Sequence, residues 1–311
     1  MRYYTSVYSS AEDLVAIINQ RLKAEGWTEH KYADMPDPRI GKQLHISKGG
    51  LHFGLRSLGA YDPYVDYYAA RNHGQQGVII NLKTGFDGGV SYSSQPGFQF
   101  SPKCYLESGD KGICHIFTAA SYALVVTNYS SDQYSCLAFG KLPVFVDGTG
   151  GQFVASTNAH EAANRESIFS NASNFFGVYL KNAEFTGFDR GERTVGTLST
   201  TSRGAVYGLP HMHAGNPSFG SVGSVVRSSA LAAGFSGLVP VELFVSYAGM
   251  YCPYSQFSDV FYVSMDVLEP GQTYEIGNSK FMVFPQFKKE YPLNRNAPHY
   301  NLGLAVLLDQ Q

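Results

Sequence analysis

The sequence is short of charge. Asp, Glu, Lys and Arg make up 15% of its 311 residues, against roughly 25% in an ordinary soluble domain. The charges balance to a formal −2, and the longest basic run is the pair Lys288-Lys289. Gripping nucleic acid through its phosphates takes many cations, so a DNA-gripping groove is not expected. A wall that duplex DNA slides past is still allowed. Long apolar runs are missing too. None approaches the roughly 20 residues of a membrane span, and the opening "MRYYTSVYSS" lacks the apolar centre of a secretory signal. The chain is therefore expected to be made and kept in the cytoplasm until it assembles, without a membrane partner. Cysteine is sparse: Cys104, Cys114, Cys136 and Cys252 are widely spaced, with no CxxC. They are expected as reduced, mostly buried thiols, and a Cys104–Cys114 pairing stays open. No repeat of fixed period is present.

Aromatics are what the chain has instead. Tyr and Phe number 22 and 21, beside a single Trp. Both favour pleated strands, and tyrosine suits protein interfaces because its ring is apolar and its tip polar. With 33 Gly and 14 Pro, many turns are expected. A polar surface built from Ser, Thr, Asn, Gln and Tyr fits a protein that works against other protein.

One helix is legible in "SSAEDLVAIINQRLKAEGW". Ser10 caps it, with Asp13 three residues on. Leu14, Ile17, Ile18 and Leu22 give an apolar face, Gly26 stops it, and Trp27 packs back. The period then changes to two. Strands are expected at Leu44–Ser47 and Leu51–Leu58, joined through Gly49-Gly50. Further strands are expected at Gly77–Leu82, Cys114–Thr118, Tyr122–Asn128 and Tyr134–Phe139. Residues 156–235 are rich in Ser, Gly and Asn, with a short helix possible in "NAHEAANRESIFSNAS". They are expected to form an arm that orders against a neighbour. Strands resume at Val241–Tyr247, Val260–Val267, Tyr274–Ile276, Lys280–Phe284 and Leu302–Leu308, with a turn at Gly277-Asn278. The expected fold is mainly β with a few helices (α+β), built of antiparallel meander sheets. Residues 1–155 form a helix-plus-sheet domain; in 156–311 the loop-rich arm of about 156–235 leads into a C-terminal β segment.

Each candidate for chemistry has a plainer reading. The cluster Gly148-Thr149-Gly150-Gly151 lacks the P-loop spacing, and the downstream "QFVAST" is strand-like rather than helical. The cluster is expected as a turn. His211 and His213 in "HMHAGN" could start a metal site, but a third ligand would have to come from His160, His115 or Asp189. A pH-sensitive subunit contact suits these histidines better. No GxSxG elbow exists, and "GFSGL" is one residue short of it. Cys136 and Cys252 stand in strand runs where a thiol packs. A glycosidase needs two carboxylates facing across a cleft. Asp132, Asp147, Glu184, Asp189, Asp259 and Asp266 offer no pair at a fixed spacing, and Asp132 and Asp147 sit where turns need Asp. The tyrosine-rich Tyr61–Gly74 reads as a contact loop between subunits, a sugar-stacking platform, or core and turn packing. No catalytic, cofactor-binding or metal-binding residue is assigned, no cofactor is implied, and an enzyme is not expected.

Several stretches together resemble a known family. They are "LKAEGWTEH", "LHISKGGLHFGLRSL", "TGFDGGVSYSSQPG", "YALVVTNYSSDQYSCLAFGKL" with "TGGQFVAST", and "YEIGNSKFMVFPQFKKE". They cover roughly the first half of the chain and part of its last fifth. The chain resembles tailed-bacteriophage virion structural proteins of the neck and tail gene block, of the tail terminator, collar or gateway type. The resemblance implies a homo-oligomeric ring, six- or twelve-fold, near the head–tail junction of a contractile-tailed phage. Its partners would be other neck and tail proteins, with at most non-specific proximity to DNA in the channel. It carries over no catalytic residues. Another virion part (baseplate, tail-tube-associated or head-decorating) and a carbohydrate-binding receptor protein are the alternatives.

Overall fold

The chain opens with strand β1 (Arg2–Tyr8) and helix α1 (Ala11–Ala24). The computed structural model describes residues 1–36, 41–58, 76–96, 105–143, 145, 152–157, 237–247, 250–285 and 302–308, with the strand segments 175–177, 180–181, 184–185 and 206–208. Ser10 caps α1, its hydroxyl accepting the Asp13 N–H at 3.1 Å. The Asp13 carboxylate reaches back to the Ser9 N–H at 2.9 Å. At the other end Gly26 takes φ +78°. Its N–H bonds the Lys23 carbonyl, and the Trp27 N–H bonds that of Leu22. This pair of bonds is a Schellman stop, and it folds Trp27 back onto the helix. The buried face holds Ala11, Leu14, Val15, Ile18, Asn19 and Leu22. Ile17, expected on that face, is only partly buried, because the apolar stripe runs along the Val15 side of the helix.

The next strands are β2 (Thr28–Asp34), β3 (Lys42–Lys48), β4 (Leu51–Leu58), β5 (Gly77–Lys83) and β6 (Tyr105–Glu107). They form one antiparallel meander in sequence order. Gly49 and Gly50 turn the β3–β4 hairpin with φ +58° and +79°, the two positive values a type I′ turn demands. Next come β7 (Gly112–Thr118), β8 (Tyr122–Asn128), β9 (Tyr134–Lys141), β10 (Gln152–Ser156) and β11 (Phe175–Gly177). They make a second sheet in the order β1-β7-β8-β9-β10-β11. The strands of the first 155 residues thus fall into two sheets, because β6 pairs with β5 and not with β7, while β7 pairs with β1 and β8. The hairpin β12 (Leu180–Lys181) and β13 (Glu184–Phe185) stands apart. A third sheet has the order β14 (Val206–Gly208), β15 (Val239–Tyr247), β16 (Met250–Ser264), β19 (Leu302–Leu308), β18 (Ser279–Pro285), β17 (Thr273–Ile276). Strand β16 is longer than its expected Val260–Val267 and ends earlier, at the turn after Ser264. The fold is mainly antiparallel β with a single α-helix among the described residues.

The second sheet is the middle layer. One face, with Ile116, Val125, Leu137, Phe139 and Val154, packs on α1 and the inner face of the first sheet. The other face, with Phe117, Leu124, Val126, Phe153 and Ala155, packs on Phe257, Val260, Tyr262, Phe284 and Leu304 of the third sheet. Each large apolar side chain so buried contributes about 1.5–3 kcal/mol relative to exposure. Residues N- and C-terminal to the middle segment thus share one core. Most of 156–235, including the expected short helix, lies outside the described residues.

Candidate functional site

The titratable groups converge on the outer face of the first sheet. Its period-two pattern points Leu44, Ile46, Phe53, Leu55, Ile80 and Leu82 inward. It points Gln43, His45, Ser47, Arg56, Asn81 and Lys83 outward, yet each of these is buried. The cover is the loop of residues 84–96. Its base closes where the Thr84 N–H bonds the Pro96 carbonyl at 3.0 Å. Inside it, the Gln95 amide accepts from the Asp87 N–H at 2.9 Å and donates to the Asp87 carbonyl at 2.8 Å. A loop whose ends meet and whose own side chains fill it is an Ω-loop.

Two side chains fasten this strap. The Tyr92 hydroxyl shares its one proton between Asn81 Oδ1 at 2.7 Å and the Gly54 carbonyl at 3.0 Å. Phe86 stacks on His30 and tilts over His45. Between the sheet and the strap lies Lys83, 2% exposed. Its Nζ donates to His45 Nδ1 at 3.1 Å and to the Tyr92 carbonyl at 3.3 Å, and sits 4.2 Å from the centre of the Tyr92 ring. The amine spans the sheet to do this, and a Cβ on Gly54 would collide with its tip. Because Nδ1 of His45 accepts, its Nε2 carries the proton toward Gln43 Oε1, 3.3 Å away. Burial lowers the pKa of Lys83 to about 7. Burial, and then the neighbouring Lys83, lower that of His45 to about 3. His45 is therefore a neutral imidazole at neutral pH. The arrangement can hold an amine, charged or neutral, against two acceptors and a π face. It gives that amine internal partners rather than a route to solvent.

A second feature lies on the opposite side of the middle sheet. The sandwich of middle and third sheets is closed where β11 meets β14 and open where β1 faces β17 and β18. The opening is a groove of about 1140 Å³ lined by Tyr3, Tyr4, Glu275, Ser279, Lys280 and Leu308, among others. Arg2 at its rim pairs with Glu25 at 3.0 Å.

The residues singled out in the sequence do not meet. His115 lies between the middle and third sheets, its Nδ1 2.9 Å from the Tyr3 hydroxyl and its ring beside Phe284. Burial lowers its pKa to about 4, and the other proposed ligands, His160, Asp189, His211 and His213, lie outside the described residues. Among the described residues no cluster of three His, Cys, Asp or Glu is placed to hold a metal. Asp132 is exposed on the β8–β9 turn, Asp259 is buried on β16, and Asp266 comes just after β16. Asp147 and the Glu184 side chain lie outside the described residues. Cys114 and Cys136 are free, buried thiols, and burial raises them to about 11 and about 12. They are unreactive packing groups. Cys104, the Cys252 side chain and Tyr61–Gly74 lie outside the described residues, as does the glycine cluster 148–151. The strands flanking that cluster, β9 and β10, pair antiparallel, and the element directly after it is a strand, not a helix. The lysine cluster is hidden in the sequence because Gln43, His45 and Ser47 alternate as a solvated strand face does. The signal that could reveal it is the aromatic loop "GFDGGVSYSSQPG", placed just after Lys83. Among the described residues no helix is long and apolar enough to cross a membrane. No protein-family model matches the sequence, and no curated protein matches it.

Proposed function

We propose that the chain is a structural subunit of a tailed-phage virion, a ring-forming component of the neck or proximal tail around the DNA channel. The observation that carries this reading is the open side of the sandwich. There two sheet edges and a tyrosine-lined groove face outward, a surface suited to cover by other protein. The low charge and the missing basic run are compatible with a channel wall that DNA passes without sticking. The subunit would be made in the host cytoplasm and end in the virion. Native mass spectrometry of the purified protein with negative-stain imaging tests this. The expected result is a closed ring, alone or on addition of neck and tail partners, with a central hole wide enough for duplex DNA. A compact trimer that binds or digests a polysaccharide would overturn it in favour of a receptor-binding protein.

A further inference from the structure

Strand β1 is the outermost strand of the middle sheet, and all its backbone pairing runs to β7, from Arg2 opposite Thr118 to Tyr8 opposite Gly112. Among the described residues no backbone group pairs with its other side. Natural sheets blunt such edges with lysines, proline, bulges or very short strands. The stretch "RYYTSVY" has seven residues, one charge, no proline and an unbroken register. Thr5 is exposed, Val7 is 73% exposed, and the Ile113 that pairs with Val7 is 43% exposed. An open backbone edge is a template for another extended polypeptide.

The sequence of β1 indicates which polypeptide. Laid antiparallel on a second copy about Thr5, β1 pairs with itself. Tyr3 then stands opposite the second copy's Val7, Thr5 opposite Thr5, and Val7 opposite Tyr3. Aromatic–β-branched and Thr–Thr pairs are among the stabilising cross-strand combinations. On the other face of the strand Tyr4 stands opposite Ser6, and Arg2 opposite the buried Tyr8, so no like charges oppose. We propose that β1 is a homodimerisation strand, joining the middle sheets of two copies across a two-fold axis at Thr5. The contact is isologous. It differs in kind from the head-to-tail contacts that close a ring and takes one of the two open sheet edges, but it does not depend on the ring reading. Joining buries Val7 of each copy and leaves neither β1 edge open.

The test uses the full chain. Wild-type protein is expected to show a concentration-dependent species of twice 34.0 kDa. Thr5→Lys and Thr5→Glu each place like charges opposite one another at the axis. Each variant alone should lose the two-fold species with unchanged circular dichroism, and an equimolar mixture should recover it. Thr5→Cys should cross-link into a dimer under mild oxidation, since facing strand residues lie within disulfide range, while wild type does not. A wild type that stays monomeric at every concentration, a Thr5→Lys protein with wild-type mass, or a Thr5→Cys protein that fails to cross-link would each overturn the proposal. An assembly in Thr5→Lys with the same mass as that of the wild type, ring or not, would overturn this contact and leave the ring reading standing. Loss of the two-fold species in Thr5→Lys, with no ring in the wild type even on addition of neck and tail partners, would do the reverse.

Discussion

Lys83 shows how much a single residue owes to its cover. On β5 it alternates with Val78, Ile80 and Leu82, which face the core. Sequence alone therefore assigns it to solvent. The strap turns that solvated position into a buried amine beside a neutral histidine, and no local pattern announces such an event. The consequence is a pH dependence with a definite sign. Lys83 has a folded pKa near 7 against 10.5 for a free lysine. Between these values the unfolded chain binds a proton that the folded protein does not, so stability rises with pH across that window. The contribution is lost as pH falls from 10.5 toward 7. We expect the urea midpoint of the wild type to increase from pH 7 to pH 10 more than that of Lys83→Met, which replaces the amine by an apolar chain of similar length. Equal slopes for the two proteins would mean that Lys83 stays protonated in the fold, held by the Tyr92 ring and carbonyl. His45 acts in the acid range in the same direction. Its pKa of about 3 against 6.5 removes about 1.4 kcal/mol of stability per pH unit as pH falls through that interval.

Elements are legible where a local pattern determines them. Helix α1 has its N-cap, its stripe and its stop within one stretch of sequence, and its observed ends agree with that reading. The β3–β4 hairpin has alternation on both sides of a Gly-Gly turn. Strands β8 and β19 have the expected bounds, Tyr122–Asn128 and Leu302–Leu308. Strands β1 and β2 are not legible, because "RYYTSVY" and "TEHKYAD" carry too few aliphatic residues to mark a buried face. Their strand state comes from pairing with β7 and β3. The helix stop offers a clean test of a local determinant. A Cβ on Gly26 would meet nothing within 4 Å, so Gly26→Ala should carry only the cost of holding a non-glycine residue at positive φ. That cost is about 1 kcal/mol. It should appear as a lower denaturant midpoint with unchanged slope. A neutral substitution would show that Trp27 packing, not the backbone stop, fixes the end of α1.

At the scale of the whole molecule, the middle sheet decides the architecture. The runs "YALVV" in β8 and "CLAF" in β9 are continuous rather than alternating. A strand covered on one face alternates; a strand covered on both does not. Those runs are readable as strands in the sequence, yet what covers them is distant. One cover is α1 with the first sheet, and the other is the third sheet, built from residues beyond 205. The N-terminal sheets therefore lack one of their two covers until the C-terminal strands arrive. A fragment of residues 1–157 would leave Phe117, Leu124, Val126 and Phe153 facing water, a contiguous apolar face of the kind that drives association. We expect that fragment to bind the dye ANS strongly and to aggregate at concentrations where the full chain stays dispersed. Circular dichroism would still report strand and helix. Should the fragment instead unfold cooperatively as a monomer without binding dye, the third sheet would be a separable module, and its interface with the middle sheet would be a docking contact rather than a shared core.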